Sequence, residues 1–210
     1  MAATAWIKRW HTMQRMDNLV LVGFSCSGKT TIGRNLARRL RLTFVDTDRV
    51  IEEVAHRSIG DIFAQDGEAT FRELERVAVA RVCAGTNQVI STGGGAFVDP
   101  TNRDWLRGGN LVVHLQVRPE TVVLRLRNSR SGRPRPMLDA PDPLARVREL
   151  MAARRDAYAL AHVAIGVDDR SRHEVVSDLT RRWLAWRRRH GTPAARDAER
   201  AVVRAPAPAV

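Results

Sequence analysis

The sequence predicts an α/β fold built on a parallel sheet with helices on both faces. Three observations carry that expectation. Gly23-Phe24-Ser25-Cys26-Ser27-Gly28-Lys29-Thr30 is a complete G-x-x-x-x-G-K-S/T phosphate-binding loop, set between an apolar run and a helical pattern. Short apolar runs alternate with helical patterns along the rest of the chain. The residues suited to chemistry follow those runs, at the carboxyl ends of the expected strands, where open α/β sheets bind ligands.

Residues 1–16 show no period and are expected to form a loose extension, with Met13 or Met16 as good a start as Met1. Asn18 to Val22, N-L-V-L-V, has the β-branched apolar character of a strand buried on both faces. Thr30 to Leu42 places Ile32, Leu36 and Leu40 on one helical stripe. Leu42 to Val45 is the second strand and runs into Asp46-Thr47-Asp48, with a helix expected from near Arg49. Ser58 caps a short helix carrying Ile59, Ile62 and Phe63, and a longer helix is expected from about Glu68 to Ala84. Gln88 to Ser91 is the third strand, breaking into Gly93-Gly94-Gly95. Leu111 to Leu115 is the fourth and Val163 to Val167 the last. Asn128 to Met137 is polar, basic and rich in Gly and Pro between two helices, which predicts a mobile surface loop. One domain over 17–190 and a disordered Ala/Pro-rich tail over 191–210 complete the expected organisation.

Composition narrows the function classes. Of the 35 basic residues only Lys8 and Lys29 are lysines, so the chain keeps a compact ammonium in the phosphate loop, where a planar guanidinium fits poorly between two phosphates. No apolar run approaches the ~20 residues that span a bilayer, and the N-terminus has no apolar signal core, so neither a membrane nor secretion is expected. Cys26 and Cys83 have no paired spacing, which fits a reducing, cytoplasmic setting and excludes a cysteine zinc site. The net charge of +12 is spread over several helices, aromatic residues make up 5%, and no recognition motif is present, so a nucleic-acid partner is not expected. The densest basic cluster, Arg181-Arg182 with Arg187-Arg188-Arg189 around Trp183 and Trp186, reads as the solvated face of a docked last helix.

In the loop, backbone N–H groups and the helix N-terminus suit phosphates, and the Thr30 hydroxyl suits Mg²⁺. Asp46 and Asp48, two apart at a strand end, project to one side: one suited to Mg²⁺ through water, the other to a substrate hydroxyl proton, unless both merely cap a helix. Arg72 and Glu75 share a helical face, as a binding pair or a surface ion pair. Leu144, Val147, Met151, Arg154 and Tyr158 follow three- and four-residue steps, which puts Arg154 on an apolar stripe, where it needs a carboxylate from the fold or from a ligand. The three glycines allow close approach to a ligand, or a sharp turn. Arg127, Arg130, Arg133 and Arg135 flank the polar loop, available to close over a transferring phosphoryl group or simply solvated.

G-F-S-C-S-G-K-T-T-I-G, F-V-D-T-D, D-I-F-A-Q-D-G-E-A-T-F-R-E-L-E, S-T-G-G-G-A, R-P-R-P-M-L and M-A-A-R-R-D-A-Y, in this order and spacing, closely resemble the shikimate kinase family over roughly residues 18–180. The resemblance implies a three-layer P-loop fold of nucleoside-monophosphate-kinase type, with a five-stranded parallel sheet and a lid over about 127–140. It implies transfer of the ATP γ-phosphoryl group to the 3-hydroxyl of shikimate, with Mg²⁺; a monomer is expected. Asp48, Arg72, Gly94 and Arg154 then hold shikimate, the two arginines on its carboxylate and Asp48 on the hydroxyl. Lys29, Asp48 and Arg135 are the expected catalytic residues. Cys26, Ser27, Gly28, Lys29, Thr30, Thr31, Arg135 and Arg172 are expected on ATP, Arg172 together with Arg127 being weaker matches at the adenine end. Thr30 is the expected Mg²⁺ ligand, with Asp46 acting through water, and Glu75 braces Arg72. Cys26, Met137, an extra lid proline and the absence of proline after the last strand depart from the family pattern. Two other readings stand beside it: a kinase of a related cyclitol or amino-shikimate, and a non-catalytic protein that binds nucleotide or an anionic polymer.

Overall fold

The computed structural model describes residues 17–128 and 140–190. The strands are β1 (Leu19–Val22), β2 (Thr43–Asp46), β3 (Gln88–Ser91), β4 (Leu111–Gln116) and β5 (Val163–Gly166). They form one parallel sheet in the order β2-β3-β1-β4-β5. The helices among the described residues are α1 (Lys29–Leu40), α2 (Thr47–Ala55), α3 (Ile59–Gln65), α4 (Gly67–Cys83), α5 (Pro100–Arg107), α6 (Pro119–Arg127), α7 (Pro143–Ala159) and α8 (Arg172–His190).

Every residue of β1 is buried, because side chains alternate across a sheet covered on both faces. Leu19 and Leu21 enter a core shared with Ile32 and Leu36 of α1 and Leu179 and Trp183 of α8. Val20 and Val22 enter the opposite core with Val79 and Val82 of α4 and Leu106 of α5. The register sets Leu21 opposite Ser91 and Val113, and Asp46 opposite Ser91, so β1, β2 and β3 end level and the segments after them meet.

Boundaries move for local reasons. Helix α1 stops at Leu40 because Arg41 turns left-handed, with φ 55°, and its N–H returns to the Ala37 and Arg38 carbonyls. Ser58 caps α3 as expected, its side chain accepting from Asp61 N. Helix α2 starts at Thr47, two residues ahead of the expected Arg49, because the Asp46 carboxylate accepts from Asp48 N and caps it. The basic end of α8 is not wholly solvated: Arg181, Arg182, Arg188 and Arg189 are exposed, but Arg187 is buried with its guanidinium 5.6 Å from the Trp183 ring centroid. Residues four apart share a helix face, so Arg187 follows Trp183 into the core. The N-terminal extension, the tail and the expected lid from residue 129 to 139, with Arg130, Arg133, Arg135 and Met137, lie outside the described residues.

Candidate active site

The phosphate loop closes a cavity of about 780 Å³ at the carboxyl ends of the strands. Gly23 and Gly28 turn at φ 140° and 93°, and Cys26 holds φ 62°, a left-handed conformation that a side chain adopts at some cost. Lys29 is buried and curls into its own loop, where Nζ donates to the Gly23 and Phe24 carbonyls at 2.8 Å each and to Ser27 Oγ at 3.5 Å. Thr30 Oγ1 donates to Asp46 Oδ2 at 3.0 Å, so the last residue of β2 meets the first turn of α1. Ser27, Gly28, Thr31 and Arg172 line the same space.

Asp46 and Asp48 both face this cavity, but not by strand alternation. Because α2 begins at Thr47, Asp48 sits in its first turn, and Asp46 is both helix cap and cavity wall.

The three glycines after β3 do turn, Ala96 N donating to the Gly93 carbonyl at 3.3 Å, and they also leave room for side chains. A Cβ on Gly93 would stand 2.8 Å from Asp48 Oδ1 and 3.1 Å from Glu75 Oε1, one on Gly94 3.1 Å from Ser25 Oγ and 3.7 Å from Arg154 Nη1, and one on Gly95 2.8 Å from Arg72 Nη1. Bare backbone here makes room for three charged side chains, Asp48, Glu75 and Arg72, while Arg154 stands at ordinary contact distance. The segment is pinned by Gly93 N donating to Thr47 Oγ1 at 2.9 Å.

Around the glycines, Arg72 donates to Glu75 and to Glu68 at 2.8 Å each. Glu75 is fully enclosed, and burial pushes its carboxyl above the usual range against the pull of Arg72. Arg154, 8% exposed, donates to the Gly94 carbonyl at 2.9 Å and lies 5.2 Å from the Phe24 ring centroid. Asp48, Arg72, Gly94 and Arg154 are thus brought together on one glycine segment.

The shikimate kinase family model matches residues 25–183. The chain belongs to the shikimate kinase family. It is 52% identical over 163 residues to the shikimate kinase of Symbiobacterium thermophilum, covering 77% of this chain and 93% of that protein. It is 42% identical over 176 residues to that of Deinococcus radiodurans, covering 83% and 88%. Among solved structures, the Acinetobacter baumannii shikimate kinase in complex with shikimate superposes with a TM-score of 0.74 at 31% identity, over 85% of this chain and 97% of that one. The Bacteroides thetaiotaomicron shikimate kinase gives 0.72 at 33% identity, over 79% and 97%.

Within this shikimate kinase fold a second arginine of α6 joins the expected set. Arg127 is exposed and does not line the cavity, whereas Arg125 lines it and donates to the Cys26 carbonyl at 2.8 Å. Helical phase explains the difference and was legible: Arg125 is three residues past buried Val122, and Arg127 five. Arg170, which pairs with Asp178 at 3.2 Å, also borders the cavity beyond β5. His114 on β4 was not anticipated. Its ring stacks on Tyr158 at 4.5 Å, and burial, with Lys29 nearby, pushes its pKa down to about 4.

Proposed function

We propose that the chain transfers the γ-phosphoryl group of ATP to the 3-hydroxyl of shikimate, giving shikimate 3-phosphate and ADP. The observation that carries this reading is the glycine segment, which sets two arginines and an aspartate beside a phosphate loop in a chain of this family. A nucleotide pocket alone says nothing of the acceptor. Two guanidiniums beside a carboxylate that can orient a hydroxyl specify a hydroxylated carboxylic acid.

Arg72 and Arg154 grip the acid's carboxylate. Glu75 holds Arg72 Nη1, and Phe24 and the Gly94 carbonyl hold Arg154. Asp48 orients the 3-hydroxyl and accepts its proton as the new P–O bond forms. Lys29 leaves the Gly23 and Phe24 carbonyls to take up the β- and γ-phosphates of ATP, and Cys26 to Thr31, Arg125 and Arg172 enclose the nucleotide. Arg135, by its place in R-P-R-P-M-L, acts on the transferring group. Phosphoryl transfer through a loose transition state asks mainly for such positioning and charge neutralisation.

The Thr30 hydroxyl and Asp46 carboxylate are hard oxygen donors 3.0 Å apart, which suits Mg²⁺ held by few protein ligands together with phosphate oxygens and water. Bound there, Mg²⁺ neutralises phosphate charge. No described helix is long and apolar enough to cross a membrane. On this reading residues 17–190 form the kinase unit, which works as a cytoplasmic monomer.

The test is coupled ADP release with shikimate, with its carboxyl-free cyclitol analogue, and with no acceptor. Turnover that requires shikimate is expected. Equal or better turnover of the carboxyl-free analogue, or none with shikimate, overturns the assignment.

A further inference from the structure

Glycine is the most permissive backbone residue, so three in a row need outside ties if the groups packed on them are to stay in register. Gly93 is tied by Thr47. The other tie comes from α7. Tyr158, one turn beyond Arg154, donates its hydroxyl to the Gly94 carbonyl, the acceptor that Arg154 Nη1 also uses. The phenol oxygen is also a hydrogen-bond partner of Arg154, which closes a triangle of phenol, guanidinium and carbonyl.

A phenylalanine would fill the same apolar volume beside Val20, Val112 and Ala96. What tyrosine adds is a buried hydroxyl, which is costly to desolvate unless it is bonded. Here the bond goes to the peptide that carries the site. Because a peptide is planar and trans, fixing the Gly94 carbonyl also fixes the direction of the Gly95 N–H. The Tyr158 ring is held in turn by the His114 stack, at 4.5 Å and 23°. His114 belongs to β4, beside Val22, and its Cδ2 lies 3.4 Å from the Cβ position of Gly23 at the start of the phosphate loop.

We propose that Tyr158 is a positioning residue for the acid: its hydroxyl sets Arg154 and the Gly94–Gly95 peptide, and His114 supports its ring. This rests on the reading that Arg154 grips the substrate carboxylate. The phenol does not touch the reacting atoms. It decides where the guanidinium waits, so its loss appears in recognition of the acid.

The experiment compares wild type, Tyr158→Phe and His114→Ala by steady-state kinetics on both substrates, with thermal melts. Tyr158→Phe is expected to raise the shikimate KM about three- to tenfold, with kcat and the ATP KM within about twofold and little loss of melting temperature. His114→Ala, which removes the stack without touching Gly94 or Arg154, moves the shikimate KM in the same direction. An unchanged shikimate KM in Tyr158→Phe, or equal rises in both KM values, marks the tyrosine as core packing and overturns the proposal while wild type stays active. A wild type that fails to use shikimate overturns the functional reading, and this proposal with it.

Discussion

Replacing Gly95 with alanine adds one methyl group at the point where the backbone meets Arg72. The new Cβ would lie 2.8 Å from Nη1, 3.2 Å from Nη2 and 3.3 Å from Cζ, where ordinary contacts begin at 3.4 Å. The guanidinium must therefore retreat by about half an ångström or more, away from the position in which Glu75 and Glu68 hold it. Gly95 is not in the left-handed region, so alanine is compatible with its backbone and contributes about 0.4–1 kcal/mol through the unfolded chain. What has to move is the tip of a flexible side chain, and that cost, about 1 kcal/mol, roughly cancels the gain. Stability should hardly change. Recognition should suffer, because weakening a charge-assisted hydrogen bond costs about 1.5–3 kcal/mol, or roughly ten- to hundredfold in kcat/KM for the acid. Steady-state kinetics with shikimate varied at saturating ATP, beside a thermal melt, read both quantities. A Gly95→Ala enzyme with unchanged kcat/KM for shikimate would refute the role given to Arg72 and to the glycine that makes room for it.

Three further outcomes follow from the geometry. Arg125→Ala should raise the ATP KM about tenfold, by loss of a cavity wall and of the bond to the Cys26 carbonyl, while Arg127→Ala stays within about twofold; equal effects would undo the helical-phase argument. At Cys26, with φ 62°, glycine relieves about 1 kcal/mol of left-handed strain but adds unfolded-state entropy, so Cys26→Gly should melt near wild type and Cys26→Val well below it; the opposite order in a thermal melt counts against strain at this position. His114 has its pKa pushed from 6.5 to about 4, so the unfolded chain takes up its proton first as pH falls. The stability it contributes is full above about pH 6.5, declines as pH drops towards 4 and is lost below. Allowing for solvent screening of a partly exposed ring, about 1–2 kcal/mol of acid destabilisation should be missing from His114→Phe in urea titrations between pH 4 and 7. Parallel curves for the two proteins would show that the ring is not held neutral.

Much of the fold was legible because its signals are local. The β-branched runs, the phosphate loop and the Ile32–Leu36–Leu40 stripe each announce one element, and β1 and α1 fall where they predict. The misplacements share a physical origin, a side chain whose partner belongs to another element or whose phase was not followed. As sequence, D-T-D reads as the end of a strand with both aspartates on one face, whereas the Asp46 cap turns Thr47 and Asp48 into the first turn of a helix. Arg187, in a run of three arginines, looked solvated, yet it lies one turn past Trp183 on the buried face. Arg125 and Arg127 differ only in phase from Val122.

The glycine segment shows what sequence could not settle and why it matters for catalysis. Three glycines after a strand admit a close ligand or a tight turn; here they turn, and the room they leave is taken by side chains that arrive from α2, α4 and α7 and from the phosphate loop. Gly94 is where they converge. Its Cβ position is 3.1 Å from Ser25 Oγ of the phosphate loop and 3.7 Å from Arg154 Nη1 of α7, so one residue stands between them. A phosphoryl donor and an acceptor hydroxyl must come within near-contact distance to react, and the barrier lowered by holding them there is large. A partition one backbone thick, with no side chain of its own, lets the two walls stand that close. A side chain at 94 would crowd Ser25 of the phosphate loop, and Gly93 and Gly95 leave the same room for Asp48 and Arg72, the two groups proposed to hold the acid.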